Sequence, residues 1–386
     1  MKQIPYSKQF IDKQDISSVL KALKSPLITQ GPLLSKFERL IAKKVKSKFA
    51  VGVNSATSGL HIACLALGLK NNDYLWTVPN SYVSSANCGR FCGANVDFVD
   101  IDPLSLNICK NKLKEKLEVA KKKNKLPKIL VVVHFGGNPC EMIEIRKLSK
   151  LYNFKIIEDA SHALGAYYNK NPIGNCKYSE VAVFSFHPVK SITTAEGGMI
   201  STNSSDLNYK LGLLRSNGVT RDKSKFIQKN FEAWKYEQHE LGYNYRMNEI
   251  QAALGISQLS KLKKFIRNRN EIAQNYIKLI KNPNIKFQEI NKKNKSSYHL
   301  MIIKIDLKKI KKSYKKVFNE FQKNNIGVNL HYYPIHLQPY YIKHTGKIKL
   351  QNAEDYASRS LSVPIFYGMK KLEQSLIIKK INKIIS

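Results

Sequence analysis

Short apolar runs alternate with amphipathic stretches along the first two-thirds of the chain. Residues 49–53 (FAVGV), 75–79, 94–100, 129–134, 154–159, 181–184 and 199–202 are compact runs of strand length. The run at 129–134 is apolar at almost every position, as in a parallel strand buried on both faces. Between these runs the apolar positions recur at helical spacing. Helices are predicted over residues 11–23 with Asp12 as N-cap, 33–44, 60–67, 111–123, 143–152 and 206–215. Pro26 ends the first, and Gly31-Pro32 marks a turn before the second. The apolar face of the second is Leu34, Phe37, Leu40 and Ile41. A stripe through Ile250, Ala253, Leu254, Ile256, Leu259 and Leu262 predicts one long helix or two over 248–280. Beyond it come a strand at 298–305 and helices at 311–324, 352–361 and 372–385. Strand alternating with helix at this spacing predicts an α/β fold with a parallel sheet covered on both faces. A ligand is then expected at the carboxyl edge of that sheet. The polar segment 217–238 is expected to be a loop over the site.

The candidate chemistry gathers where strands end. The stretch VAVFSFHPVKSITTAEGGMIST, residues 181–202, carries Lys190 among apolar and hydroxylic neighbours. A lysine desolvated in this way becomes a better neutral nucleophile, able to hold an aldehyde as a Schiff base. A surface lysine on a turn is the plain alternative. Upstream, FKIIEDASHA reads as a buried strand ending in Asp159. A carboxylate there suits a pyridinium nitrogen, although an Asp capping the next helix is also possible. Asp159, Ser185 and Lys190 in this order are more specific than any one of them. Residues 54–59 (NSATSG) join a strand to a helix, so backbone N–H groups at the helix start, with hydroxyls from Ser55, Thr57 and Ser58, could take a phosphate. A routine N-cap is the simpler reading. His162 and His187 lie three residues from Asp159 and Lys190 respectively, and His162 is the stronger site candidate.

Composition narrows the class. The chain has 386 residues, 43% of them hydrophobic, which is ordinary for a globular protein. No apolar window approaches the ~18 residues of a membrane span, and the first residues lack the apolar core of a signal peptide. Six cysteines in a chain of this length make no disulfide framework. Cys88 and Cys92 find no second pair to complete a metal site, and a cytoplasmic, reducing compartment is expected. The net charge is +37. The lysines are spread out and lie largely in Lys/Asn/Ile-rich segments, with no nucleic-acid-binding signature, so neither a nucleic-acid nor a membrane partner is expected. A catalytically silent regulator using this basic surface is the alternative of another class. A positive field would also attract an anionic sugar nucleotide.

EDASHALG, SFHPVKSITTAEGGM and LGYNYRMNEIQAALGISQL together resemble the DegT/DnrJ/EryC1/StrS family of sugar-nucleotide aminotransferases, over nearly the whole chain. LITQGPLLSKFE, NSATSGLH, ANCGRFCGANVDFVDID and KYEQHELGYNYRMNEIQAALG are similar more narrowly to its branch acting in pseudaminic acid synthesis. The resemblance implies a pyridoxal-phosphate-dependent transferase of fold type I. It implies a large domain, residues 1–265, with a mostly parallel seven-stranded sheet flanked by helices and an N-terminal substrate arm, and a smaller α+β domain, residues 266–386. Lys190 and Asp159 would be the catalytic pair, with no metal. Ser55, Ala56, Thr57, Tyr82, His162, Ser185 and Asn244 would join them around the cofactor. Tyr82 would stack on its ring, and Asn244 would reach the phosphate across a homodimer interface. Tyr6, Pro26, Leu27, Ile28, Thr29, Ala56, Ser185, Asn244, Leu330, His331, Tyr332 and Tyr333 would meet the substrate. The branch implies amino transfer from glutamate to C4 of UDP-2-acetamido-2,6-dideoxy-β-L-arabino-hexos-4-ulose. Another keto-sugar, aminated at C3 or carried on dTDP, is the near alternative. The family's dehydratase variant has His where this chain has Lys190.

Overall fold

This computed structural model describes residues 3–228 and 232–386. The N-terminal arm leads to α1 (Lys13–Leu23), where Asp12 and Asp15 form a capping box. Helix α2 (Pro32–Val45) starts on Pro32, which lacks the N–H a first helical turn leaves unpaired. Then come β1 (Phe49–Val53), α3 (Ala56–Ala66), β2 (Tyr74–Thr77), α4 (Ser84–Phe91), β3 (Asn95–Phe98), α5 (Lys110–Lys122), β4 (Ile129–Val133), α6 (Met142–Tyr152) and β5 (Lys155–Asp159). A hairpin of β6 (Tyr167–Tyr168) and β7 (Asn171–Pro172) precedes β8 (Val181–Ser185), β9 (Gly198–Thr202) and α7 (Ser205–Arg215). The short pair β10 (Val219–Thr220) and β11 (Glu237–Gln238) leads to α8 (Glu249–Leu279). The remainder comprises β12 (Ile285–Phe287), β13 (Met301–Ile305), α9 (Tyr314–Lys323), α10 (Pro339–Thr345), α11 (Gln351–Arg359), β14 (Ser360–Val363) and α12 (Lys371–Ile384).

Seven strands form the main sheet in the order β1-β9-β8-β5-β4-β2-β3. Pairings from β8 through β5, β4 and β2 to β3 are parallel, and only β9 runs against its neighbours β1 and β8. The sheet is α/β and mostly parallel, as expected. Alternate strand residues divide between two cores. Leu130, Val132, Ile156 and Phe184 pack with Phe37 and Ile41 of α2 and Leu113 of α5. Val131, Ile157, Val183 and Ile200 pack with Leu60, Ile62 and Ala63 of α3. A three-stranded antiparallel sheet, β12-β13-β14, carries a third core with α9 and α12. Helix α8 serves two of these cores. Its Leu262, Phe265 and Ile266 belong to the large one and its Ile272, Ala273 and Tyr276 to the small one.

Four expectations are corrected. The helix expected at 60–67 begins at Ala56, because Ser55 accepts the Ser58 N–H and caps it. The strand expected at 298–305 begins at Met301, since Tyr298 sits at φ 46°, outside any strand geometry. The helix expected at 311–324 begins at Tyr314, after Lys311 at φ 50° and the Ser313 cap. The segment 217–238 is tied back by β10 and β11, and none of its described residues lines the central cavity; residues 229–231 lie outside the described residues.

Candidate active site

Strand ends deliver the chemistry. Asp159 is the last residue of β5 and Ser185 the last of β8, while Ser55 and Ala56 follow β1. Lys190 sits in the turn after β8, its N–H donating to the His187 carbonyl at 2.9 Å. The Phe186 N–H to Gly197 O bond (2.9 Å) and the Thr194 N–H to Phe186 O bond (3.0 Å) close that turn. The N-terminal arm runs along the small sheet, with Ile4 paired to Ile326 and the Tyr6 carbonyl accepting from Ile365 N–H at 2.9 Å. This brings Tyr6 to 4.9 Å from the His331 ring.

These elements enclose a cavity of about 590 Å³, a size suited to a small-molecule cofactor and substrate. Lys190, Asp159, Ser185, Ser55, Ala56, Thr57, Tyr82, His162, Tyr6, His331 and Tyr332 all line it. Exposed His187 lines it too. Pro26, Leu27, Ile28, Thr29, Asn244, Leu330 and Tyr333 do not line it. The 26–29 loop is exposed, with the Ile28 carbonyl accepting from Glu249 N–H at 3.0 Å. Asn244 is exposed and bridges to Ser216. Leu330 packs on the large core, and Tyr333 is half-exposed.

Burial sets the electrostatics. It lowers the Lys190 amine from 10.5 to about 8, opposed by the Asp159 charge. Burial also keeps His162 well below the ordinary histidine value, helped by the Lys190 and His331 charges. His331 falls to about 3 for the same first cause, then Lys190. His299, with its ring 4.2 Å from His162, is likewise held neutral. His162 Nδ1 accepts the Gly136 N–H at 3.3 Å, and its Nε2 lies 3.2 Å from the Tyr332 hydroxyl. A neutral ring that accepts at Nδ1 carries its proton on Nε2 and donates it to Tyr332. Both Asp159 oxygens are engaged. Oδ1 accepts the Ser161 N–H at 3.1 Å and Oδ2 accepts the Ser85 hydroxyl at 2.6 Å.

The residues fit pyridoxal phosphate. A largely desolvated amine and a fixed carboxylate share one cavity, answering the aldehyde and the ring nitrogen. The N–H groups of Ala56 and Thr57 open α3 and have no partner within it. A Cβ added to Gly198 would lie 2.7 Å from Ala56 N, so only glycine lets β9 pass this turn so closely. The Ser55 hydroxyl caps α3 and that of Thr57 lies 2.7 Å from the Ser84 hydroxyl, so the backbone is the freer donor here.

Sequence reasoning missed Ser81, Ser85, Glu196, His299 and Asn329. Ser81, Glu196 and Asn329 line the cavity. Ser81 and Ser85 had a usable signal, four residues apart at a helix start. His299 and Asn329 are brought in only by tertiary packing. Among the described residues, no group of three or more His, Cys, Asp or Glu could hold a metal ion, and no helix is long and apolar enough to cross a membrane.

Comparison with known proteins agrees with this geometry. The DegT/DnrJ/EryC1/StrS aminotransferase family matches over residues 9–382. The UDP-4-amino-4,6-dideoxy-N-acetyl-beta-L-altrosamine transaminase of Campylobacter jejuni is 39% identical over 95% of this chain and 93% of its own. The spore coat polysaccharide biosynthesis protein SpsC of Bacillus subtilis is 32% identical over 99% of this chain and 97% of its own. The solved structure of Helicobacter pylori PseC, an aminotransferase of pseudaminic acid biosynthesis, superposes with TM-score 0.90 at 32% identity, covering 100% of this chain and 99% of that one. With the lysine, the carboxylate and the turn that opens α3 at one sheet edge, the chain belongs to the DegT/DnrJ/EryC1/StrS family and is a pyridoxal-phosphate-dependent sugar aminotransferase.

Proposed function

We propose that the enzyme moves an amino group from glutamate to C4 of UDP-2-acetamido-2,6-dideoxy-β-L-arabino-hexos-4-ulose. The observation that carries this is the 39% identity, over 95% of the chain, to a relative named UDP-4-amino-4,6-dideoxy-N-acetyl-beta-L-altrosamine transaminase. We also propose a homodimer with shared sites, acting in the cytoplasm, and a division of the chain into residues 1–265 and 266–386.

When bound, pyridoxal phosphate supplies an electron-poor ring that carries the amino nitrogen between donor and acceptor. Lys190 would hold the cofactor through its Nζ, and its amine would carry the proton at the reacting carbon, C4 of the sugar. An amine of pKa about 8 suits both donation and acceptance near neutral pH. Asp159 keeps a proton on the ring nitrogen. Backbone N–H groups at the start of α3, with Ser185, would bind the phosphate, and Tyr82 would pack against the ring. Asn244 reaches the phosphate of the partner subunit's site, which accounts for its place outside its own cavity. The exposed 26–29 loop and Tyr333 meet the substrate in the same shared manner. Neutral His331, with Tyr332 and Tyr6, presents donors and acceptors to sugar hydroxyls without adding charge, while neutral His162, both of its nitrogens engaged, lies beside the cofactor.

The test is an absorbance spectrum of the protein with cofactor, before and after glutamate, then with the UDP-4-keto sugar. A visible band that glutamate bleaches and this sugar restores, with the 4-amino product identified by mass and NMR, supports the whole reading. Bleaching without restoration keeps the aminotransferase and rejects this sugar.

A further inference from the structure

We propose that Ser85 is a positioning residue for Asp159, and that Ser81 and Ser85 form a directed hydroxyl relay that aims its carboxylate. This rests on the reading of Asp159 as the partner of the ring nitrogen. Ser85 lies in the first turn of α4, is 0% exposed and does not line the cavity, so it acts only through another group. Its hydroxyl is 2.6 Å from Asp159 Oδ2 and 2.8 Å from the Ser81 hydroxyl. A carboxylate can only accept, so Ser85 gives its proton to Asp159 and must accept from Ser81. The relay therefore runs one way, from Ser81 through Ser85 to Oδ2. Each bond polarises the next, and the last is charge-assisted. With the Ser161 N–H on Oδ1, the carboxylate is gripped from two elements, α4 and the turn after β5.

The grip links two contacts that have to agree. Tyr82, the residue expected over the face of the ring, sits between Ser81 and Ser85 in the same turn, which the Tyr82 carbonyl closes by accepting from Ser85 N–H at 3.2 Å. Asp159 addresses the edge of the ring from β5. The Ser85 bond crosses 74 residues of sequence and fixes these two positions against each other. Without it the Asp159 carboxylate can rotate about its last torsion, and the ring nitrogen loses a partner at a set distance and angle.

Ser85→Ala, Ser85→Thr and Ser81→Ala are compared with the wild type as cofactor-free and cofactor-loaded protein. Cofactor affinity is read by absorbance titration, and the pH titration of the visible band reports the electrostatics at the ring. Ser85→Ala is expected to bind cofactor about tenfold more weakly, the size of one lost charge-assisted hydrogen bond. Its band should titrate at a shifted pH, while the melting temperature of the cofactor-free form stays near wild type. Ser85→Thr should restore affinity and titration to within about twofold, and Ser81→Ala should fall between. Wild-type affinity and titration in Ser85→Ala overturn the proposal, as does failure of Thr to rescue. Lys190→Ala separates the two readings: if it keeps the visible band, the site assignment fails. If it loses the band while Ser85→Ala is unchanged, only the relay fails.

Discussion

Lys190 and Asp159 act on each other across the cavity, and the carboxylate partly undoes what burial does to the amine. Burial drives the Lys190 pKa down and the Asp159 charge holds it up, leaving it at about 8.

The neutral fraction of such an amine is about one-tenth at pH 7 and about nine-tenths at pH 9. The rate at which cofactor-free protein captures pyridoxal phosphate should therefore rise about tenfold between pH 7 and 9 and then level off. Stopped-flow absorbance measures it, and a flat profile would refute the assignment.

The same shift bears on stability. The amine has a lower pKa folded than unfolded, so the folded state binds fewer protons between about 8 and 10.5. Below pH 8 the cost of burying the charge is fully present, and it is relieved as pH rises towards 10.5. Cofactor-free Lys190→Met should unfold at higher denaturant than wild type at pH 7, and the gap should narrow above pH 8.

Asp159→Asn removes the charge that holds Lys190 up. Its capture profile should move to lower pH, so capture at pH 7 quickens. Turnover should fall at least about a hundredfold, about 2.7 kcal/mol, because the ring nitrogen loses its anionic partner. Opposite signs in the two assays are the signature.

A shared site predicts complementation. Lys190→Ala and Asn244→Ala chains should each be inactive, yet a one-to-one mixture allowed to exchange subunits should regain about a quarter of wild-type activity. Half the dimers are hybrids, and each hybrid has one intact site. No recovery despite exchange, followed by native mass spectrometry, would place Asn244 outside the partner's site.

Gly242 lies just before Asn244 and against Gly218, where an added Cβ would fall 2.1 Å from the Gly218 nitrogen. Gly242→Ala should cost about 1–3 kcal/mol of stability and weaken cofactor binding more than a surface alanine does. Chemical denaturation and the absorbance titration check the two effects.

Strands were the most legible part of the chain. Residues 49–53 and β4 read clearly because a strand covered on both faces is apolar almost without interruption. Helix starts were legible at Asp12 and Asn248, where a side chain caps them, but the caps at Ser55 and Ser313 did not fix the starts of α3 and α9. Positive-φ residues outside glycine were not, and Lys311 and Tyr298 displaced two boundaries for that reason. At the site, residues flanking strand ends could be named because the sheet edge collects them. His299 could not, since its meaning comes from a ring brought beside it only by tertiary packing, and Ser85 offered its spacing from Ser81 but not its bond to Asp159, 74 residues away. The antiparallel course of β9 carried no signal either, since a buried strand reads alike in both directions.

Helix α8 is an axle shared by both halves of the molecule. Its 31 residues span about 46 Å without a break, capped by Asn248 at one end and held by the Asn275–Gln374 bond towards the other. An unbroken helix resists bending, so the small sheet with its His331–Tyr332 wall cannot hinge freely against the sheet edge that holds Lys190.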